Sequence, residues 1–93
     1  MKKILIVGRN PLALKRAARL LDCEGYKVSS AITNEEAYDR FKELEPQLVL
    51  LGDKIDDDSR REFKRIFLKK NPDIELREIS LDNLRGQVQS LGA

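Results

Sequence analysis

Three short runs carry the residue types from which a site could be built. Val7-Gly8-Arg9-Asn10-Pro11-Leu12-Ala13 holds the first glycine of a G-x-G-x-x-G/A dinucleotide fingerprint and its terminal alanine. Asn10 stands where the second glycine lets the backbone approach a pyrophosphate, and no acid ends the next strand-like run to hold a ribose hydroxyl. A small Rossmann-like nucleotide-binding domain is therefore the alternative reading. Gly52-Asp53-Lys54 offers a single carboxylate. Asp56-Asp57-Asp58 has the charge of a cation site, but it precedes a helical pattern, where carboxylates interact favourably with the helix dipole. Cys23 is the only cysteine, so there is neither a disulfide framework nor a metal-binding pair, and it reads as a small core or boundary residue. The chain has no histidine, which removes the Ser-His-Asp and Cys-His nucleophile pairs and any His-ligated zinc. No enzyme activity, cofactor or metal is expected.

The elements that must position these residues follow from periodicity. Lys3-Ile4-Leu5-Ile6-Val7 and Leu48-Val49-Leu50-Leu51 are continuous apolar runs, suited to the centre of a parallel sheet covered on both faces. Tyr26 to Ala31 and Ile74 to Ile79 mix apolar and polar residues, as edge strands do. Asn10-Pro11 opens a helix with Leu14, Ala17, Ala18 and Leu21 on one face, and Gly25 ends it. Thr33 and Glu36 form a capping box for a helix that turns Ala37, Tyr38, Phe41 and Leu44 inward, with Pro46 closing it. Ser59 and Glu62 read as a second capping box, for a helix with Phe63, Ile66 and Phe67 inward and Asn71-Pro72 at its end. Leu81, Leu84, Val88 and Leu91 mark a last amphipathic helix, expected on the same face as the first. The fold class is α/β: a three-layer sandwich of four βα units around a four-stranded parallel sheet of order 2-1-3-4. Its functional crevice lies at the carboxyl ends of the two central strands, at Gly8-Arg9-Asn10 and Gly52-Asp53-Lys54.

In this register the sequence resembles the receiver domain of response regulators (CheY-like, flavodoxin-like), in degenerate and shortened form. The resemblance rests on Lys3 to Val7 followed by Asn10-Pro11, on Gly25-Tyr26-Lys27-Val28, on Asn34-Glu35-Glu36-Ala37 and on Pro46-Gln47-Leu48-Val49-Leu50-Leu51, and covers roughly residues 3 to 59. It implies two adjacent acids for Mg²⁺ after the first strand and a phosphoryl-accepting aspartate at the end of the third. Gly8 and Arg9 replace the paired acids and Gly52 replaces the acceptor, with Asp53 one residue late and therefore aimed to the other face. An arginine where carboxylates should bind a cation opposes phosphoryl transfer. Arg9 is open to two readings, a solvated loop arginine or a guanidinium that fills the vacated pocket and pairs with Asp53. A receiver has five βα units and this chain has four. The last one aligns either as the fifth, with Arg77-Glu78 where a Lys-Pro pair is expected, or as the fourth, with Ser80 in the phosphate-sensing position. The degenerate pocket then comprises Gly8, Arg9, Gly52, Asp53, Ser80 and Arg77.

The 93 residues suffice for one receiver-like domain, 1–93. Lys and Arg number 18 against 16 Asp and Glu, so no long-range field favours nucleic acid or an anionic membrane. The apolar runs are far shorter than the roughly 20 residues that span a bilayer, and Met1-Lys2-Lys3 leads into a strand rather than a signal peptide, so the expected location is cytoplasmic. The function expected is that of a non-phosphorylatable, receiver-like protein-interaction module in bacterial two-component signal transduction (a pseudo-receiver), its partner another protein of the pathway. A second copy of the chain is a further candidate partner, because a lost βα unit shortens the sheet and bares the fourth strand.

Overall fold

The computed structural model describes residues 2–52 and 54–79. Along the chain run β1 (Lys3–Val7), α1 (Pro11–Cys23), β2 (Lys27–Ala31), α2 (Asn34–Leu44), β3 (Leu48–Gly52), α3 (Asp57–Lys70) and β4 (Glu75–Ile79). All pairings are parallel and the sheet order is β2-β1-β3-β4, as the patterning predicts. The expected last helix lies outside the described residues. Because β4 pairs directly with β3, it holds the fourth position of the sheet.

Period-two alternation in the central strands divides the interior in two. Ile4, Ile6, Leu48 and Leu50 point to one face, where they meet Leu14, Ala17 and Leu21 of α1. Leu5, Val7, Val49 and Leu51 point to the other, against Ala37, Phe41 and Leu44 of α2 and Phe63 and Phe67 of α3. Every one of those strand side chains is fully buried, which explains why β1 and β3 carry no polar residue between Ile4 and Val7 or between Leu48 and Leu51. Phe67 anchors the two-helix layer, stacked on Phe41 at 4.3 Å and on Phe63 at 5.6 Å between ring centroids. The Tyr38 ring meets Phe63 edge-on at 5.6 Å and its hydroxyl bonds to Glu62, so α2 and α3 are joined at both apolar and polar levels.

Local signals set the helix ends. Asn10 Oδ1 accepts from the Leu12 and Ala13 N–H groups, and Pro11 occupies the first turn of α1. Gly25 follows α1 at φ +94°, a left-handed position that glycine enters without steric cost. The Thr33–Glu36 capping box is formed on both sides. The Ser59–Glu62 box is not: Asp56 is the N-cap of α3 and its carboxylate accepts from Ser59 N–H at 3.1 Å. Ser59 sits inside the first turn, buried, and Asp57 and Asp58 belong to that turn rather than preceding it. Cys23, expected at the core boundary, is exposed. Among the described residues no helix is long and apolar enough to cross a membrane.

Candidate functional site

The carboxyl ends of β1 and β3 lie side by side, with Val7 in register with Leu51. Gly8 follows Val7, is buried, and gives its N–H to Ala31 O at 3.1 Å, which closes the β1–β2 ladder. Gly52 is the last residue of β3 and is buried opposite Ile79. Asp53 and Ser80, two of the expected pocket residues, lie outside the described residues.

Arg9 follows Gly8 at this end of the sheet, and its partners correct the reading of a solvated loop arginine. Its side chain is 29% exposed. Nη1 donates to Ile32 O and Nη2 to Asn34 Oδ1, each at 2.5 Å, and Nη2 lies 3.8 Å from Asp56 Oδ1. Asn34 in turn donates through Nδ2 to Ser59 Oγ at 3.1 Å, and Ser59 N–H reaches Asp56 Oδ2. The contacts close a ring, Arg9–Asn34–Ser59–Asp56–Arg9, that ties the β1–α1 loop to the amino ends of α2 and α3. The planar guanidinium makes this possible, because two parallel donors reach two acceptors on one neighbouring segment while the same edge faces a carboxylate. The Asp56 carboxyl is held below its ordinary pKa by the Ser59 hydroxyl first and the Ser59 N–H next, against a small opposing desolvation, with Arg9 adding a lesser pull.

Asn34 and Ser59 were legible in the sequence only as helix-start residues. Their meeting needs the right-handed crossovers that set the amino ends of α2 and α3 next to each other, so the informative signal was the topology. Arg77 is not brought to the crevice. It pairs with Leu50, two residues short of the end of β4, and its Nε bonds Glu75. Among the described residues no group of three or more His, Cys, Asp or Glu side chains could hold a metal ion. The α1 N-terminus, where a pyrophosphate would dock in a nucleotide-binding domain, has two of its donors engaged by Asn10.

No protein-family model matches the sequence, and no curated protein does. Solved structures do. A CheY-like response regulator receiver domain from Methanospirillum hungatei superposes with a TM-score of 0.74 and 26% identity, over 96% of this chain and 74% of its own. A response regulator receiver domain from Clostridium thermocellum gives a TM-score of 0.76 at 20% identity, over 99% of this chain and 75% of its own. The response regulator TrrA of Thermotoga maritima, in complex with Mg²⁺-BeF, gives 0.70 at 22% identity, over 98% of this chain and 99% of its own. The chain therefore has the CheY-like receiver fold of response regulators, shortened to a sheet of four described strands.

Proposed function

We propose that the chain, over residues 1–93, is a receiver-fold interaction module of a signalling pathway that takes no phosphoryl group and acts by binding a protein partner. The observation that carries this reading is the Arg9 ring: a guanidinium engaged by Ile32, Asn34 and Asp56 at the crevice where the receiver resemblance implies paired carboxylates and Mg²⁺. A cation is needed to neutralise charge on a transferring phosphoryl group, and a fixed positive charge beside Gly8 opposes its binding. Gly8 and Gly52 lack side chains, and the carboxylate next in sequence to Gly52 is Asp53, one residue late for the acceptor position that the receiver resemblance implies. The protein-partner half of the proposal draws support from TrrA, which is also seen in complex with the histidine kinase ThkA. The proposal includes neither nucleic acid nor membrane as partner.

Incubation with acetyl phosphate or beryllofluoride plus Mg²⁺, followed by mass spectrometry and amide NMR, tests it. We expect no added phosphoryl mass and no Mg²⁺-dependent shift. A phosphoryl adduct that disappears in Asp53→Asn would show that the site transfers phosphate after all.

A further inference from the structure

We propose that two copies of the chain associate through the outer edge of β4, antiparallel and centred on Leu76, to make one continuous eight-stranded sheet. The inference does not depend on the signalling reading.

β4 is paired with β3 on one side, and among the described residues no strand lies beyond it. An edge strand presents unpaired N–H and C=O groups, which proteins commonly protect with charges of a kind that repel a second copy. The charges on β4 have the opposite property. Glu75 and Arg77 stand two residues apart on one face of the strand, with side chains 41% and 39% exposed, and they carry opposite signs. In an antiparallel pairing about Leu76, Glu75 of each copy lies opposite Arg77 of the other, so the two-fold axis produces both matches at once. The bond already present between Glu75 and Arg77 within each strand then becomes part of a four-membered cluster of alternating sign. Leu76 meets its own counterpart on the opposite face, where it packs beside the α2–α3 core. The other edge has no such symmetry. An antiparallel pairing of β2 about Ser29 sets Lys27 against Ala31 and Val28 against Ser30, with no charge matched.

Sedimentation equilibrium on the full chain should give twice the 10.7 kDa protomer mass at high concentration. Glu75→Arg or Arg77→Glu alone should weaken association by roughly tenfold or more, and the double exchange Glu75→Arg/Arg77→Glu should restore it. The register is read separately in a Cys23→Ser background, by mixing a Glu75→Cys chain with an Arg77→Cys chain under mild oxidation. A disulfide between the two different chains, absent from either chain alone, supports the centre at Leu76, and the mixed dimer keeps its other Glu75–Arg77 match. A monomer at all concentrations, single reversals without effect on a dimer, or cross-links of equal yield in the mixed and unmixed samples would each overturn the proposal.

Discussion

At the residue scale the decisive feature is one arginine, Arg9, whose guanidinium joins the β1–α1 loop to the amino ends of α2 and α3. Arg9 was identifiable in the sequence as an intruder in a crevice that resemblance fills with acids, but the identity of its partners was not, because Ile32, Asn34 and Asp56 lie between 23 and 47 residues away and are joined to it only by the topology. Its two hydrogen bonds are charge-assisted and its side chain is mostly buried, so Arg9→Ala should cost about 1–2 kcal/mol in chemical denaturation. Arg9→Lys should recover less than half of that, since an ammonium cannot reach both Ile32 O and Asn34 Oδ1 in a fixed plane. Full recovery by lysine would mean that the charge, not the fork, sustains the ring. The same ring makes a pH prediction. Asp56 titrates lower in the folded chain than when unfolded, and so does Glu36, whose carboxylate accepts from the Ile32 and Thr33 N–H groups. Both contributions are complete above the ordinary carboxylate pKa and are lost as pH falls through the lowered folded values. Stability should therefore be flat from neutrality to about pH 5 and decline below it, with the Ser59 and Thr33 amide shifts following the two titrations. Amide titrations with midpoints at the ordinary carboxylate values would contradict the assignment.

At the element scale the helix boundaries show where local signals are ambiguous. Asp56 and Ser59 are both good N-cap residues, three apart, and each has an acid in the following turn. The sequence pattern favoured Ser59 because Glu62 completes a box. The structure uses Asp56, which starts the helix earlier and releases the Ser59 hydroxyl to accept from Asn34. Glu62 is engaged instead by Tyr38 across the α2–α3 contact. It follows that Asp56→Ala should shorten α3 and lower the denaturation midpoint, whereas Ser59→Ala should leave helix content unchanged and loosen the α2 start, as read by circular dichroism and by exchange of the α2 amides. The reverse pattern would restore Ser59 as the cap. Thr33→Ala, in a box whose two halves are both formed, should cost about 1 kcal/mol. Phe67→Ala removes the ring on which both Phe41 and Phe63 stack and should cost about 3–5 kcal/mol, the largest loss of any single change in this layer.

At the scale of the whole molecule, hydrophobic patterning carried the fold. Strands without a polar residue belong at the centre, strands with mixed character belong at the edges, and together with right-handed crossovers this favours the order β2-β1-β3-β4 that the sheet adopts. What the pattern could not convey is how unevenly stability is distributed across that order. Ile4 to Val7 and Leu48 to Leu51 are fully buried on both faces, whereas β2 is half-buried and led by an exposed Lys27, and β4 keeps Glu78 exposed near its end. Opening β1 or β3 separates both cores at once. Opening an edge strand exposes far less apolar surface and leaves the pair of central strands intact. Native-state hydrogen exchange should therefore show β1 and β3 amides exchanging only by global unfolding, at roughly 5–10 kcal/mol for a chain of this size, with β2 amides opening at lower cost. The fourth strand then reports on association. If its outer edge is joined to a second copy, its amides should be nearly as protected as those of β3 in concentrated protein and should lose that protection on dilution, while β2 stays constant. Protection of β4 that equals that of β2 at every concentration would mean that its edge is never covered by a partner chain, and the charge match between Glu75 and Arg77 would then serve the strand alone.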